Sequence, residues 1–436
     1  MQSLLLEKIK SKQACLGVIG LGYVGLPLAV DMAEAGFDTI GFDVKEAKLE
    51  LIKKGCSYIS DVTDDSLCVV VKSQKLLATS DFSLLANCDC VCICVPTPLD
   101  VGRQPDLSFV KNAAESIKQY IHKDMLVILE STIYPGATEE LVKPILEGSG
   151  LKCGTDFYLA FSPERVDPGN AQYKTKNIAK VVGGCTKEST ELAAAMYAMV
   201  LDAPVYKVSS PAVAEMEKIL ENAYRNINIG LVNELAILCE RMHISIWEVI
   251  EAAKTKPYGF QAFYPGPGLG GHCIPVDPYY LSWKAREFAF HTSMIESSMK
   301  INDKMPQYCA ERAGRILNRF KKALNGSKIL LLGVAYKQDV ADCRESPAIK
   351  VIHELQKLGA NVDFYDPFVK CFEQDGWSMA GIEALTAKTI EDYDLIVITT
   401  AHSNVDYQLV QKHAKAIFDT KNVMKDISPR DNIEIL

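Results

Sequence analysis

Two stretches of this 436-residue chain combine residue types and spacings that could do chemistry. The first is Gly20-Leu21-Gly22-Tyr23-Val24-Gly25, which follows the apolar run ACLGVIG (14–20) and opens a helical pattern. Gly20 permits a tight turn, Gly22 lets backbone approach a pyrophosphate, and Gly25 lets the following helix pack close. The phosphates would sit at that helix's N-terminus. Asp43 ends the next apolar run, eighteen residues beyond Gly25. A carboxylate there accepts hydrogen bonds from a ribose diol and repels a 2′-phosphate, so the pattern predicts NAD rather than NADP. A bare GxGxxG is weak evidence, and an isolated Asp43 could be a turn aspartate. Strand, glycines and acid in register carry the reading.

The second stretch is FYPGPGLGGHCIPVD (263–277), with four glycines in six residues. Such a backbone can wrap a ligand closely. Cys273 follows the glycines, beside His272 and four residues before Asp277. A cysteine in that setting suggests a nucleophile, whereas the bland alternative is an inert loop thiol. A dinucleotide site in the same chain favours the nucleophile, because a thiohemiacetal can deliver a hydride and become a thioester. His272 could lower the thiol's pKa, but sequence neighbours often point apart, so that stays open. Cys88, Cys90, Cys92 and Cys94 alternate at period two on one strand face. No second CxxC pair follows, and they read as buried small hydrophobes rather than zinc ligands, so no metal is expected.

The elements that must position these residues follow from hydrophobic periodicity. Strands are expected at 14–20, 37–43, 90–95, 125–130, 158–161 and 180–182. Helical patterns fall at 26–35, 108–121 and 137–147. Strands alternating with helices mean a parallel, doubly wound α/β sheet. From Pro211 to about His243 apolar residues recur at helical spacing without a break, a helix of roughly 45 Å. Shorter helices are expected near 245–254 and 278–305. The alternation then returns: KILLLGVAYK (328–337) is like the first strand and turn, KLGANVDFYD (357–366) echoes EAGFDTIGFD (34–43), and YDLIVITTAH (393–402) echoes CDCVCICVPT (88–97). This reads as a second Rossmann-like domain whose turn has lost the full glycine pattern, and it should not bind an intact dinucleotide in the usual way. The expected division is a Rossmann domain at 1–205, a central helical domain at 206–305 and a second Rossmann-like domain at 306–436. The long helix is apolar on more than one face, which predicts burial against a second copy in a homodimer or a multiple of it.

Composition bounds the rest. Hydrophobic residues make up 48% and charged residues 23%, enough to build large cores without staples. A net charge of −8 argues against a nucleic-acid partner held by phosphate contacts and against adsorption to an anionic membrane. The longest apolar runs are strand-sized, well short of the ~20 residues of a membrane span. MQSLLLEKIKSKQ returns to charge after three leucines, which predicts no export signal. Fourteen cysteines without such a signal are expected to be reduced thiols of a cytoplasmic protein.

GLGYVG, VPTP (95–98), EST (130–132), SPER (162–165), EMEKILEN (215–222), GPGLGGHCIPVDP (266–278) and AYKQDVADCRESPA (335–348) together resemble the UDP-glucose/GDP-mannose dehydrogenase family. The resemblance runs in order through almost the whole chain. It implies two Rossmann-like domains joined by a long helix, the second binding a UDP-sugar. The implied activity is oxidation of a nucleotide sugar's primary alcohol to a carboxylate with two NAD⁺. It makes Cys273 the nucleophile and puts Lys218 and Asn222, one helical turn apart, on the oxyanion that develops at the sugar's 6-position. Asp277 would act as base through water or hold Lys218, and Glu164 and Thr132 would position the hydrolytic water. Cofactor contacts map to Gly20, Leu21, Gly22, Tyr23, Val24, Gly25, Asp43, Lys48, Val95, Pro96, Thr97, Pro98, Ser131, Thr132 and Arg344. Substrate contacts map to residues 164–168, including Glu164, Arg165 and Val166, and to Lys218, Asn222, Tyr264, Gly266, Gly268, Leu269, Gly270, Tyr336 and Lys337. Taken one at a time, Lys218 could be a solvated charge, Glu164 a surface acid and Arg344 a simple ion pair with Glu345. The UDP-glucose branch usually has Ser before the cysteine and Lys before the aspartate. His272 and Val276 stand there instead and resemble the branch acting on UDP-N-acetylhexosamines. UDP-N-acetylglucosamine is the expected sugar, UDP-N-acetylmannosamine and UDP-glucose are the alternative substrates, and a non-catalytic NAD-binding regulator is the alternative class.

Overall fold

The computed structural model describes residues 4–59, 61–100, 102–166, 170, 172–271, 273–374 and 376–436. His272, Asp167 and Pro168, singled out above, lie outside the described residues. The chain divides into two compact units, Met1–Glu221 with Tyr279–Phe290, and Asn222–Pro278 with His291–Leu436.

The first unit is built on eight strands: β1 Cys15–Ile19, β2 Asp38–Phe42, β3 Leu76–Thr79, β4 Cys90–Ile93, β5 Leu126–Leu129, β6 Tyr158–Phe161, β7 Lys180–Gly184 and β8 Val205–Val208. Their order is β3-β2-β1-β4-β5-β6-β7-β8. All neighbours run parallel except β6 and β7. Central strands such as β4 and β5 are buried at every position, as a sheet covered on both faces requires. Cys90, Cys92 and Cys94 pack in this core with Leu16, Val18, Leu126 and Ile128. The chain reverses its winding between β1 and β4, and the crevice beyond their carboxyl ends is where such sheets take ligands.

The second unit carries a parallel five-stranded sheet. Its strands are β9 Lys328–Leu332, β10 Asn361–Tyr365, β13 Leu395–Ile398, β14 Ile417–Asp419 and β15 Ile433–Ile435, ordered β10-β9-β13-β14-β15. A hairpin of β11 Cys371–Gln374 and β12 Trp377–Ala380 stands apart from it. The helix Pro347–Lys357 starts sharply because the Ser346 hydroxyl caps Ala348 N–H and Pro347 needs no donor at the first turn.

The long helix runs Pro211–Arg241, ending the first unit and entering the second. Several features differ from expectation. The helix expected at 278–305 is two helices, Asp277–Ala285 and Ser293–Arg319, separated where Ala289 turns left-handed at φ 52°. The helix expected at 137–147 starts as a π turn, Thr138–Val142, before Lys143–Glu147. Strands β3, β8, β11, β12, β14 and β15 were not expected, nor was the antiparallel β6–β7 pair in an otherwise parallel sheet. Of these, β3 and β8 are four-residue edge strands, and β8 lacks the buried run that marks its central neighbours. Among the described residues no helix is long and apolar enough to cross a membrane.

Candidate active site

In the first unit the backbone at Gly20 is left-handed (φ +93°), and a Cβ there would lie 2.6 Å from the Cys94 carbonyl oxygen. At Gly25 a Cβ would meet the Gly20 carbonyl at 1.9 Å, so only glycine lets the helix Gly25–Glu34 dock on the turn. A Cβ at Gly22 would meet nothing within 4 Å. That open face, at a helix start whose N-cap Val24 makes no side-chain cap, suits a pyrophosphate. Leu21 donates its N–H to Asp43 Oδ2 (3.0 Å), Lys45 its N–H to Oδ1 (2.9 Å) and Lys48 its ammonium to Oδ2 (2.8 Å). Burial alone would raise the Asp43 carboxyl. Lys48 and the two N–H groups outweigh it and hold the group below its usual range. Three of about four acceptor positions are filled, which leaves one for a sugar hydroxyl. These residues fit a dinucleotide. Tyr58, which no sequence pattern marked, locks the turn by donating its hydroxyl to the Leu21 carbonyl (2.6 Å).

The segment after β4 borders this turn. Val95 and Thr97 are half-buried, and Pro96 and Pro98 are exposed. The Ser131 hydroxyl donates to the Val95 carbonyl (2.8 Å), and Tyr280 donates to the Thr97 carbonyl (2.9 Å). Thr132 is half-buried just beyond β5.

Glu164, beyond β6, is far from being a surface acid. Its Oε1 accepts the N–H groups of Arg165 and Val166, both at 2.8 Å, and its Oε2 accepts the Lys180 ammonium at 3.1 Å. The Lys218 ammonium donates to the Glu164 carbonyl, so Lys218 is held inward rather than solvated. Arg165 spends its fork on Glu221, Glu217 and the Ala179 carbonyl. Glu217 is pushed up to about 7 by burial and by neighbouring Glu221, against the pull of Arg165.

In the second unit Asn222 and Asp277 meet. The Asn222 amide donates to Asp277 Oδ2 (2.6 Å), and both are almost fully buried. Cys273 is half-buried one turn before the helix Asp277–Ala285, and its carbonyl accepts the Asp277 N–H (2.9 Å). The glycine-rich loop is hung from the long helix at two further points. Asn226 donates to the Ile274 carbonyl (3.0 Å), and Asn233 Oδ1 accepts the Gly266 N–H (3.0 Å). Ser298 and Asn302 brace Asn226, and Asn302 accepts from Asn233 (2.9 Å). Sequence reading singled out Asn222 alone. Positions 222, 226 and 233 share one helical face, and that spacing was the available signal.

The loop also packs against the segment after β9. A Cβ on Gly270 would stand 2.7 Å from Tyr336 Cβ, and Gly268 is left-handed (φ +129°) against Pro347. Tyr336, Lys337 and Leu269 are half-buried. Tyr264 stacks on Trp247, ring centroids 5.8 Å apart, and donates its hydroxyl to Glu251 (3.0 Å). Arg344 pairs with Asp342 (Nε–Oδ1 2.9 Å), whereas Glu345 pairs with Lys350, so the Arg344–Glu345 alternative does not hold. A cation that sequence reading missed, Lys421, brings Nζ to 2.7 Å from where a Gly266 Cβ would be, and burial pushes its pKa down.

The fold and the glycine turn define a Rossmann-type, dinucleotide-binding protein. Comparison with known proteins narrows the class. Residues 14–201, 212–304 and 330–426 match the NAD binding, central and UDP binding domains of the UDP-glucose/GDP-mannose dehydrogenase family. The chain belongs to that family. It is 37% identical over 415 residues to Protein CapL of Staphylococcus aureus, covering 94% of this chain and 96% of that one. It is 36% identical over 422 residues to a UDP-N-acetyl-D-glucosamine 6-dehydrogenase of Pseudomonas aeruginosa, covering 95% and 98%. Among solved structures, a UDP-D-ManNAc dehydrogenase from Pyrococcus horikoshii superposes with a TM-score of 0.88 at 32% identity, over 97% and 98% of the two chains.

Proposed function

We propose that the chain oxidises the 6-hydroxyl of a UDP-N-acetylhexosamine, foremost UDP-N-acetylglucosamine, to the uronate, supplying surface polysaccharide synthesis. The observation that carries this reading is Cys273 on a glycine-rich loop hung from the long helix, with Asp277 paired to Asn222 one turn beyond Lys218. When bound at the glycine turn, NAD⁺ would supply the oxidising power for both oxidations, two electrons each. Cys273 adds to the intermediate aldehyde as a thiolate, giving a thiohemiacetal and then a thioester. Lys218 and Asn222 offer a cation and an amide to the developing oxyanion. Asp277 orients the Asn222 amide and assists as base through water. Glu164 and Thr132 orient the water that cleaves the thioester. Lys337 and Lys421 contribute positive charge for the diphosphate, and Tyr264 through Gly270 line the sugar nucleotide.

The likeness to UDP-N-acetyl-D-glucosamine 6-dehydrogenase over nearly the full length supports the gluco sugar, and the Pyrococcus horikoshii structure supports UDP-N-acetylmannosamine as the second reading. Initial rates with a panel of UDP-sugars separate them. Exhaustive turnover yields two NADH per sugar and a carboxylate. One NADH with free aldehyde would remove the thioester route. Cys273→Ser stalls the second half-reaction and keeps NAD⁺ binding.

The long helix also exposes Val213, Met216, Leu220, Tyr224, Leu231 and Leu238, which fall on one face at helical spacing. A second copy of the chain covers that stripe, giving a dimer or a multiple of it. A light-scattering mass near 48 kDa for fully active protein would overturn this.

A further inference from the structure

A buried ionic cluster in the first unit has no part in the assignments above except through Glu164. Three neighbouring strands each supply one member: Glu130 just beyond β5, Glu164 beyond β6 and Lys180 opening β7. Lys180 Nζ lies 2.7 Å from Glu130 Oε2 and 3.1 Å from Glu164 Oε2. The side chains of Lys180 and Glu130 are 4% and 0% exposed, and that of Glu164 is 13% exposed. The cluster therefore opens to solvent only at its Glu164 end. The Tyr197 hydroxyl, from the helix Lys187–Val200, donates to Glu130 Oε1, and the Lys180 ammonium stands 5.1 Å over the Tyr197 ring.

We infer that Lys180 is a positioning residue for the hydrolytic half-reaction, holding Glu164 ionised and aimed, while Glu130 and Tyr197 hold Lys180. The inference rests on the reading that Glu164 orients the water that cleaves the thioester. In that step water oxygen bonds to the acyl carbon as the carbon–sulfur bond breaks. One water proton passes to the Glu164 carboxylate, and the sulfur leaves as the Cys273 thiolate. A neutral Glu164 could not take that proton. Its two backbone donors fix Oε1, so the orientation of Oε2 is set by Lys180. An isolated buried carboxylate would take up a proton. For Glu164 burial pushes that way, and Lys180, the Val166 N–H and Lys218 outweigh it; for Glu130 burial wins and its pKa rises. The other groups that face Glu164 are Lys218 of the long helix, adjacent Arg165, Asp31 of the helix Gly25–Glu34 and the thiol of Cys94 beyond β4; the Cys92 thiol faces Glu130, and Glu217 and Glu221 of the long helix face Arg165. Arg165 is engaged by Glu217 and Glu221, and Lys218 reaches the Glu164 carbonyl rather than its carboxylate. Lys180 is the ammonium in contact with the carboxylate itself.

The test uses the full-length enzyme with NAD⁺ and UDP-N-acetylglucosamine, or UDP-N-acetylmannosamine if that is the faster sugar. It follows kcat for uronate against pH and the Cys273 acyl adduct by mass spectrometry. The primary variant is Lys180→Met with Glu130→Gln, which keeps the interior charge balanced, with Glu130→Gln alone as its control. The acid limb moves up by at least one pH unit relative to the control, so at the pH of the wild-type midpoint turnover falls at least about fivefold, and about tenfold further down the limb. The adduct accumulates there, and raising the pH restores hydrolysis. Lys180→Arg, which keeps the cation, retains a limb near the wild-type position. A uniform loss at all pH values, with the limb unmoved, would reduce Lys180 to a structural role and overturn the inference. Glu164→Gln separates this from failure of the underlying reading. If that variant hydrolyses the thioester like wild type, the Glu164 assignment falls. If it loses hydrolysis while the Lys180 variants keep the wild-type limb, only the Lys180 inference falls.

Discussion

The two nucleotide-type sheets end their first strands the same way and use the next acid differently. β1 runs into Gly20 (φ +93°) and β9 into Gly333 (φ +87°). Gly20 N–H donates to Phe42 (2.8 Å) and Gly333 N–H to Tyr365 (2.9 Å), each the last residue of the neighbouring strand. A Cβ would collide with the next strand's end in both, at Cys94 (2.6 Å) and at Thr400 (2.5 Å). The acids then diverge. Asp43 has three donors, one of them a half-exposed lysine. Asp366 accepts four backbone N–H groups, from Val334, Ala335, Phe368 and Val369, and is fully buried against His402. The Asp339 N–H donates to His402 Nδ1, which leaves Nε2–H for Asp366. One carboxylate keeps an acceptor for a ligand, and the other has become a staple of its own loop. A duplicated turn can thus lose its cofactor role without losing its geometry.

The contrast breaks most readily at the glycines. Gly20→Ala is expected to weaken NAD⁺ binding at least about a hundredfold, since the turn must open against left-handed strain and a backbone collision. Gly333→Ala is expected to lower stability and leave NAD⁺ affinity within about twofold, as the second turn meets no dinucleotide. Calorimetric titration with NAD⁺ alongside thermal unfolding separates them, and equal losses of NAD⁺ affinity would erase the distinction. Next in size, Asp366→Asn strands donors that a carboxylate satisfied and should cost about 3 kcal/mol in denaturant unfolding. Asp43→Asn should cost under about 1 kcal/mol there, because Lys48 can reach water.

Cofactor choice sharpens the comparison further. Asp43→Asn is expected to reduce kcat/KM for NAD⁺ about tenfold and to raise NADP⁺ use, with Lys48 then free to meet a 2′-phosphate. Asp366→Asn should leave the NAD⁺/NADP⁺ ratio unchanged. The smallest effect is in acid. Burial would raise the Asp366 carboxyl, but His402 and the backbone donors depress it. A depressed carboxyl stabilises the fold above its unfolded value of about 3.9 and loses that contribution as pH falls through the folded value. Wild type should therefore lose stability more steeply than Asp366→Asn below about pH 4. Parallel acid-unfolding curves would show that Asp366 does not titrate with folding.

What could be read in the sequence was whatever only one residue type satisfies. Gly20 and Gly25 are demanded by backbone collisions, so the first turn was legible, as was the echo at β9, β10 and β13. The break at Ala289 was not, because alanine is a good helix former and nothing local forces it left-handed. Edge strand β8 was missed because its residues alternate weakly and stay half-exposed. The candidate site was legible as a set of motifs but not as contacts. Lys180 meets Glu130 across fifty residues and three strands, a pairing that no local period encodes. Asn226 and Asn233 carried a helical period, yet a polar face on a long helix reads first as solvated.

Those amides set how the Cys273 loop responds to its medium. Its attachments at Gly266 and Ile274 join neutral groups to neutral groups, with Ser298 and Asn302 as neutral braces. Nothing in that suspension gains or loses a proton between mild acid and mild base, and added salt has no charge there to screen. These two attachments are therefore insensitive to pH and salt, and a change in rate with pH near neutrality traces to charged groups elsewhere, among them Glu217 on the same helix, raised to about 7.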